Sequence, residues 1–314
     1  MWLTDYKKKA MENLTAPIVF RPLALSDGEK IRRQVYDTEC RNCDLNFLNL
    51  ISWRFLYNTE VAFWEGWMFF RFFLNGRRAY LAPIGQGDWK IPLKVLMADA
   101  ASQGVPFFMA GVCENSLSRL NEAMPGTFKA EADRRFTDYI YRRDVLSELA
   151  GKKLQPKRNL VNRFIRTYPN YEYLPLTPSL IPACLELERR WNAERVENKG
   201  LSESIEERRS IETVFEHWEA LGAIGGVVRI DGQVVAFTYG SPINYDTFGV
   251  CVEKADVSYE GAYAFINREF ARHIDPRFVY LNREEDLGLE GLRRVKLSYQ
   301  PEVLLHKYHV VAKV

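Results

Sequence analysis

One stretch of the chain, residues 249–299, constrains the fold more than any other. An alternating run around Val250 and Val252 predicts a strand that ends at Glu253. A turn of small residues follows, and apolar residues then recur at spacings of three and four, which places them on one face of a helix. A second strand, a charged loop and another helix complete the stretch. This order predicts a mixed sheet with helices packed against it.

The elements around this stretch extend the pattern. Asp231-Gly232 lies between two apolar runs and is typical of a β-hairpin, because both turn positions tolerate positive φ. The second half of the chain then has the order β-α-α-β-β-β-α-β-α-β. Its predicted ranges are strand 171–176, helices 179–198 and 202–221, strands 227–230, 234–239 and 248–253, helix 263–274, strand 278–281, helix 289–299 and strand 302–314.

The first half repeats this order with different residues. Its predicted ranges are strand 18–23, helices 27–36 and 45–57, strands 61–64, 68–74 and 79–84, helix 92–103, strand 107–110, helix 115–123 and strand 136–142. Two copies of one order indicate a duplication, and 314 residues suffice for two domains with separate cores.

We therefore predict an α+β protein of two tandem domains, each a mixed and mainly antiparallel sheet flanked by helices. Residues 1–150 form the first domain, which is mainly structural. Residues 151–168 form a basic linker helix, and residues 169–314 form a second domain that carries the ligand site.

The overall charge does not by itself favour a nucleic-acid or membrane partner. Lys and Arg number 43 against 41 Asp and Glu, a net charge of +2, so such a partner needs a local basic patch. The linker offers one, with six cations and no acid between them. They are Lys152, Lys153, Lys157, Arg158, Arg163 and Arg166. Contact with tRNA and a solvated linker helix are both compatible with this segment.

The cysteines and the N-terminal cations bear on the compartment. The cysteines are five, an odd number, and Lys7, Lys8 and Lys9 are not followed by the apolar region of a secretory signal. We expect a reduced, cytoplasmic protein. Cys40 and Cys43 form a lone C-x-x-C with no second pair or histidine cluster, so we predict no metal site.

The most aromatic stretch, residues 64–74, is not a membrane-spanning helix. It is interrupted by Glu65, Gly66 and Arg71 and is shorter than the about 20 apolar residues that a span requires. Paired strands buried on a core explain it better, and peripheral membrane contact stays open.

Several longer stretches resemble one protein family. They are Cys43-Asp-Leu-Asn-Phe-Leu-Asn-Leu, Lys157-Arg-Asn, Val252-Glu-Lys-Ala-Asp, Tyr259-Glu-Gly-Ala-Tyr and Tyr280-Leu-Asn-Arg-Glu-Glu-Asp-Leu-Gly-Leu-Glu-Gly-Leu-Arg-Arg-Val-Lys-Leu-Ser-Tyr. Together they resemble stand-alone bacterial relatives of the phosphatidylglycerol lysyltransferase C-terminal domain. The resemblance implies two tandem acyl-CoA N-acyltransferase-like (GNAT-like) domains. It also implies aminoacyl transfer from a charged tRNA to a lipid or soluble acceptor.

The resemblance further implies that no cofactor is held permanently and that the donor is an aminoacyl-tRNA or an acyl-CoA. In acyl-CoA transferases, the turn after the central strand offers backbone N–H groups and a helix N-terminus to the pyrophosphate of the donor. Tyr259, Gly261, Ala262 and Tyr263 occupy that place. A tight strand-to-helix connection that needs small residues explains the turn equally well.

Charged residues at the end of the strand are candidates for catalysis. Glu253 is a candidate general base for an attacking amine or hydroxyl, or a carboxylate that holds the ammonium of an aminoacyl group. Lys254 and Asp256 are candidate substrate-binding residues beside it. Ion pairing of Lys254 with either acid, or ordinary solvated charge at a strand end, is the alternative.

A second candidate group lies in the charged loop and helix near the C-terminus. It combines carboxylates, an amide and two cations, a set suited to an amino acid or a phosphate. The candidate binding residues are Asn282, Glu284, Arg293 and Lys296, with Glu285 as a second catalytic candidate. Helix capping by Asp286, and the preference of acids for a helix N-terminus, explain part of the same pattern.

The remaining candidates lie near the link between the domains. Arg158 and Asn159 are candidate binding residues, and a structural tie is their alternative. In the first half, Gly85 to Asp88 stands where the phosphate turn would be, but Asp88 suits a helix cap and we interpret this turn as structural.

Three functions are compatible with these residues. The four histidines lack the spacing of a nucleophile elbow or a ligand pair, so we expect direct attack by a bound acceptor on an activated ester or thioester. Aminoacyl transfer from charged tRNA is the leading hypothesis, and acyl-CoA-dependent N-acyl transfer is the second. A non-catalytic sensor of a small charged metabolite is the third. The sequence does not indicate the oligomeric state.

Overall fold

The structure is a computed structural model that describes residues 18–199 and 201–313. For residues 193–199 and 201–204 it describes the backbone only. The expectation that concerns Lys7–Lys9 therefore lies outside the described residues.

Regular elements account for most of the described chain. The strands are β1 (Arg21–Pro22), β2 (Glu60–Trp64), β3 (Trp67–Leu74), β4 (Arg77–Tyr80), β5 (Phe108–Cys113), β6 (Phe128–Ala132), β7 (Asp138–Arg142), β8 (Tyr171–Pro175), β9 (Ile224–Ile230), β10 (Gln233–Pro242), β11 (Thr247–Ala255), β12 (Tyr280–Asn282), β13 (Val303–Leu305) and β14 (Lys307–Ala312). The α-helices are α1 (Gly28–Tyr36), α2 (Phe47–Ser52), α3 (Arg54–Tyr57), α4 (Lys90–Ser102), α5 (Glu114–Ala123), α6 (Arg143–Glu148), α7 (Gln155–Thr167), α8 (Ile181–Lys199), α9 (Leu201–Glu216), α10 (Trp218–Leu221), α11 (Ala262–His273) and α12 (Glu290–Ser298). Single 3₁₀ turns lie at Leu25–Asp27, Cys43–Leu45, Arg134–Phe136 and Pro178–Leu180.

The chain divides into two compact units that are not contiguous in sequence. Within the described residues, unit 1 comprises 18–23, 57–133 and 307–313, and unit 2 comprises 24–56 and 134–306.

Unit 1 is built on a seven-stranded sheet with the order β1-β2-β3-β4-β5-β14-β6. Its neighbouring strands are antiparallel except for β4 and β5. Helices α4 and α5 contribute Leu93, Leu96 and Leu120 to the core beneath the sheet. The aromatic stretch of β3 forms paired strands, because Phe69 and Phe70 are fully buried within the ladder.

A buried ion-pair network crosses the strands of unit 1. Arg71 Nε donates to Glu60 at 2.7 Å, and Arg71 Nη1 donates to Asp99 at 2.9 Å. The hydroxyl of Tyr80 donates to Asp99 Oδ2 at 2.6 Å. Each charge therefore has a partner inside the core, as buried charges require.

Unit 2 is built on a second seven-stranded sheet with the order β13-β7-β12-β11-β10-β9-β8. Only β11 and β12 are parallel among its described pairs. Helices α7 and α11 bury Phe164 and Phe265 against the strands, and these rings stack with centroids 4.5 Å apart. Helix α8 also contacts β10 and β11 of this sheet, and helix α9 contacts α8. The predicted α+β class, with mainly antiparallel sheets flanked by helices, is confirmed.

The division into units differs from the contiguous halves that the sequence suggested. Residues 24–56 belong to unit 2, and the segment over 151–168 forms helix α7 inside unit 2 instead of a linker. Strand β7, expected to close the first sheet, pairs with β12 and β13 in the second. Local pattern identifies a strand but does not specify its distant partner.

Other predicted elements changed at their ends or split. The predicted strand 302–314 splits at His306, since β13 pairs with β7 in one sheet while β14 pairs with β5 and β6 in the other. The predicted helix 45–57 breaks at Trp53 into α2 and α3. Strand β6 was not predicted. Among the described helices, none is long and apolar enough to cross a membrane.

Candidate active site

The parallel strands β11 and β12 of unit 2 separate after a short paired region. Their pairing runs only from Thr247 opposite Tyr280 to Gly249 opposite Asn282. Strand β12 then ends, while β11 continues to Ala255. The backbones of β11 and β12 are therefore no longer paired beyond Gly249 and Asn282, and we call this opening the gap.

A β-bulge in β11 lies beside this gap. The pairing with β10 jumps from Gly240 opposite Val250 to Tyr239 opposite Val252, which leaves Cys251 as an extra residue. Bulges re-aim the side chains that follow them and are frequent next to active sites. A side chain at residue 240 would place its Cβ 1.8 Å from the carbonyl oxygen of Gly249, so this close approach requires glycine.

Three carboxylates and a thiol gather at one side of the gap. We call this group the acid cluster: Cys43, Asp138, Glu284 and Glu285. Cys43 Sγ lies 3.3 Å from Asp138 Oδ1 and 3.4 Å from Glu285 Oε1. The ligand atoms of these three residues lie within 4.8 Å of one another and could hold a metal ion, a grouping that the sequence did not predict.

Glu284 has the most perturbed environment in the acid cluster. Its φ is 58°, a left-handed conformation that a non-glycine residue holds only when its surroundings enforce it. The side-chain amide of Asn49 donates to Glu284 Oε1 at 2.6 Å. Burial, reinforced by the adjacent charge of Glu285, raises the pKa of Glu284 to about 8. The neutral acid therefore predominates at pH 7.

Asn282 shapes the loop that carries the two glutamates. Its Nδ2 donates to Asp138 Oδ2 and to the carbonyl oxygen of Arg41, each at 2.7 Å. Its Oδ1 accepts the backbone N–H of Glu284 at 2.7 Å. Asn282 is fully buried, so these bonds use its polar atoms to hold the loop against β7.

Lys296 holds the same loop from helix α12. Its Nζ donates to the carbonyl oxygen of Arg283 at 2.6 Å and also to that of Glu285. Burial, together with the nearby charge of Arg283, lowers the pKa of Lys296 to about 8. The ammonium lies close enough to the acid cluster to favour its ionised carboxylates.

The buried Asp286 and the partly exposed Arg293 form an ion pair instead of a cap and a ligand contact. Arg293 Nε and Nη2 donate to Asp286 at 2.7 and 2.9 Å, and the hydroxyl of Tyr139 donates at 2.6 Å. Burial alone would raise the pKa of Asp286, but these donors outweigh it and hold the pKa well below its usual range. The N-cap position of α12 is Leu289, so the expected capping by Asp286 is not seen.

Glu253 lies at the other side of the gap, in a second ion pair. Its Oε1 accepts from Arg283 Nη2 at 2.9 Å, and its Oε2 accepts from Asn267 Nδ2 at 3.1 Å. Lys157 lies nearby, 4.2 Å over the ring of Tyr299, and burial lowers its pKa. With both oxygens engaged, Glu253 is better placed to position Arg283 than to take a proton.

Lys254 and Asp256 do not join the acid cluster. Lys254 Nζ pairs with Glu207 at 2.7 Å and lies 3.2 Å from the ring centroid of Trp191. Asp256 accepts the backbone N–H of Ser258 at 2.9 Å and its hydroxyl at 2.6 Å. The first residue faces helices α8 and α9, and the second closes a turn.

Packing accounts for the small residues of the expected phosphate turn. Gly261 has φ 91° at the start of α11, and a Cβ there would lie 2.6 Å from the carbonyl oxygen of Leu160 in α7. Ala262 is buried in the core. The hydroxyl of Tyr263 accepts from Trp191 Nε1 at 2.8 Å, and Tyr259 packs against Tyr168.

Arg158 and Asn159 support the beginning of α7 within unit 2. Arg158 Nη1 donates to the carbonyl oxygens of Leu149 and Gly151, the latter at 2.9 Å. Asn159 Oδ1 accepts from Gln155 Nε2 at 2.7 Å. These contacts match the structural alternative for both residues.

The structure thus brings Asn282, Glu284, Glu285 and Lys296 together, as their sequence proximity indicated. It adds Asn49 and Asp138, which no local pattern singled out, and Cys43, whose C-x-x-C pattern had been set aside. Cys43 and Asn49 do fall in the first stretch that carries the family resemblance, and that was the available signal. Asp138 had none, because its partners are more than 90 residues away.

The bulged strand, the separated parallel pair and the two mixed sheets define a tandem GNAT-like fold, as predicted. The family described as phosphatidylglycerol lysyltransferase, C-terminal, matches residues 37–311, and the chain belongs to this family. Membership supports acyl or aminoacyl transfer in general.

Individual relatives agree with this assignment. The crystal structure of a conserved protein of unknown function from Bacteroides thetaiotaomicron VPI-5482 is 46% identical, with 94% of this chain and 100% of that chain covered and a TM-score of 0.91. The L-PGS of Bacillus licheniformis is 15% identical, with 91% of each chain covered and a TM-score of 0.63, which shows a common fold.

A curated relative is more distant. An uncharacterized protein of Mycoplasmoides gallisepticum is 23% identical over 175 residues, which are 55% of this chain and 56% of that protein. The match thus spans little more than half the length of that relative.

Proposed function

We propose that this protein transfers an aminoacyl group from a charged tRNA to an amine or hydroxyl of an acceptor. The observation that carries the proposal is the acid cluster beside the gap between β11 and β12, where Glu284, whose pKa is raised, lies next to Glu285. The family description, which names a lysyltransferase, supports an aminoacyl group as the one transferred.

The proposed reaction includes two proton transfers, one to Glu285 and one from Glu284. The acceptor nitrogen or oxygen attacks the carbonyl carbon of the aminoacyl ester, and Glu285 takes the proton that the attacking atom loses. The bond to the ribose oxygen breaks, and neutral Glu284 donates its proton to that leaving oxygen. The products are the aminoacylated acceptor and the free tRNA.

The surrounding residues act as positioning groups in this scheme. Asn282 and Lys296 fix the backbone of the loop that carries both glutamates. The Asn49 amide orients the Glu284 carboxyl group. Because small errors in geometry cost large factors in rate, these contacts matter even though none touches the reacting atoms.

The basic segment contributes less to tRNA binding than its charge count suggested. Arg158 is occupied by backbone carbonyls, Lys157 lies over Tyr299, and Arg163 pairs with Glu260. The exposed cations that stay available for phosphate contact are Lys152, Lys153 and Arg166. Such contacts would be sequence-independent and salt-dependent.

Acyl-CoA is the less favoured donor. Its main support was the small-residue turn at Gly261 and Ala262, and packing against α7 now gives that turn a structural reason. The acceptor is a lipid head group or a soluble amine, hydroxyl or peptide, and the transfer experiment is designed to identify it.

The test is a transfer assay with separately labelled aminoacyl-tRNAs and a whole-cell extract of lipids and metabolites. We expect labelled product with the wild-type protein and at least a hundredfold slower transfer with Glu285→Gln, in the range of lost acid–base catalysis. Glu290→Gln, an exposed acid of α12, is the matched control and keeps wild-type activity. Absence of transfer from every charged tRNA, combined with transfer from an acyl-CoA, would contradict the proposal.

A further inference from the structure

Helix α8 carries two buried polar side chains whose hydrogen-bonding capacity is incompletely used. Glu188 is fully buried and Asn192 is 8% exposed. They lie one helical turn apart, and Asn192 Nδ2 donates to Glu188 Oε1. The other carboxylate oxygen of Glu188, Oε2, and the single side-chain oxygen of Asn192, Oδ1, are buried with no hydrogen-bond partner among the residues that the structure describes. Both oxygens can accept a hydrogen bond, and neither receives one from the described residues.

The cations around Glu188 are engaged with other acids. Lys254 pairs with Glu207 at 2.7 Å. Arg208 Nε pairs with Glu212 at 2.9 Å and comes only within 4.0 Å of Glu188 Oε2, beyond hydrogen-bond reach. A buried carboxylate with so little compensation is costly, and burial raises the pKa of Glu188 accordingly.

Tyr239 relates this position to the acid cluster. Its hydroxyl, on the bulged part of β10, is also buried with no hydrogen-bond partner in the described chain. The charges of both Glu188 and Glu284 help to raise its pKa, after the larger effect of burial. Helix α8, which carries Glu188, also contacts both β10 and β11, the strands of the bulge beside the acid cluster.

We propose that Glu188 and Asn192 form a subsite for a primary ammonium group of the amino acid that is transferred. An ammonium offers three donors and a positive charge, which match one carboxylate oxygen, one amide oxygen and the negative charge of ionised Glu188. This inference deepens the proposed function and rests on it for the identity of the amino acid as the transferred group.

Binding of small amines tests the subsite without any transfer reaction. The probes are L-lysine amide and L-norleucine amide, because both have an α-ammonium but only the first has a side-chain ammonium. Calorimetry is expected to show binding of lysine amide to the wild-type protein, and a Kd at least about tenfold weaker in Glu188→Gln, since the charge is lost while the shape is kept. Glu186→Gln is the matched control, because Glu186 lies on the same helix but is exposed.

The second probe distinguishes the two ammonium sources. Norleucine amide that binds as tightly as lysine amide assigns the subsite to the α-ammonium, and much weaker binding assigns it to the side-chain ammonium. If Glu188→Gln does not fold, Asn192→Ala removes the amide acceptor and is expected to weaken the same binding. Unchanged Kd values in the folded variants, or no binding of either amide, would overturn the inference.

Failure of this inference can be told apart from failure of the proposed function. If the protein transfers from a charged tRNA but its affinity for amines does not depend on Glu188, only the subsite proposal is wrong. If amine binding depends on Glu188 but no transfer from a charged tRNA occurs, only the proposed reaction is wrong.

Discussion

Glu284 illustrates how a single residue acquires its chemistry from burial. The same carboxyl group in water would be ionised at pH 7, but here burial and the adjacent charge of Glu285 favour the neutral form and outweigh the opposite effect of the hydrogen bond from Asn49. Two carboxylates whose pKa values are pushed apart can serve as donor and acceptor of protons at one pH. In the proposed reaction Glu284, with its raised pKa, is therefore assigned as the proton donor, and its neighbour Glu285 is assigned as the base.

Glu284 should also leave a mark on the pH dependence of stability. Its pKa is near 4.5 in the unfolded chain and about 8 in the folded one, so the folded state binds more protons between these values. The free energy of unfolding therefore gains a contribution that falls as pH rises from 4.5 to 8. We expect Glu284→Gln to remove this decline, which denaturant unfolding across the window would measure.

The control for this prediction is the exposed Glu290 on α12. Glu290→Gln should keep the wild-type pH profile, and its free energy of unfolding should differ from that of the wild type by less than about 0.5 kcal/mol. Identical pH profiles for wild type and Glu284→Gln would contradict the burial of a protonated carboxyl group at this position.

At the scale of elements, the junction between β11 and α11 depends on one glycine. Gly261 combines a positive φ with a close approach to the carbonyl oxygen of Leu160, so two separate requirements exclude a side chain. This junction sets the direction of α11, whose Asn267 reaches Glu253. The conformation of this turn therefore affects the position of Asn267 beside Glu253, whether or not the turn contacts a donor phosphate.

Substitution of Gly261 tests this interpretation. We expect Gly261→Ala to lower the free energy of unfolding by about 2–4 kcal/mol, because it adds backbone strain to a clash with helix α7. Gly291 in α12 is the matched control, since a Cβ there meets no atom within 4 Å. Gly291→Ala should gain about 0.5–1 kcal/mol from helix propensity.

Chemical denaturation of the two variants gives the comparison. A Gly261→Ala protein as stable as wild type would show that the turn is looser than its packing suggests. The turn would then be open to close approach by a donor phosphate, and acyl-CoA would regain its main structural support.

The sheets were predictable at the level of individual elements but not at the level of partners. Hydrophobic alternation and Asp231-Gly232 predicted the hairpin of β9 and β10, and the structure contains it. The bulge at Cys251 carries no sequence pattern of its own, because it arises from how β11 aligns with β10. Lys254, which follows the bulge, likewise pairs with Glu207 on α9, a partner that no local pattern predicted.

At the scale of the whole molecule, the last two strands of the described chain belong to two different sheets. Strand β14, the last in sequence, lies between β5 and β6 of unit 1, while β13 lies in the sheet of unit 2. Unit 1 therefore depends on a strand whose pairing partners lie about 175 to 205 positions earlier in the sequence. Such non-local pairing forms late and slowly in folding.

Removal of β14 should damage one unit selectively. A chain that ends at His306 loses a six-residue strand with its ladder bonds on both edges and the fully buried Val310. At about 1 kcal/mol for each hydrogen bond, the loss is comparable to the 5–15 kcal/mol stability of a small domain.

Hydrogen exchange resolves the two units in this experiment. We expect amides of β5 and β6 to lose protection, while those of β9 and β10 keep it. A chain that ends at Lys313 retains β14 and serves as the control. Equal protection of β5 and β6 in both truncated chains would show that β14 is dispensable.

The sequence by itself determined the fold class, the kinds of most elements and the family, because these depend on local periodicity and on long matched stretches. It also placed Asn282, Glu284, Glu285 and Lys296 together, since they are neighbours along the chain. Only the tertiary structure brought Cys43 and Asp138 to them and committed Arg293 to Asp286. Those outcomes depend on strand partners and burial, which change the charge and protonation of a side chain and which no local pattern encodes.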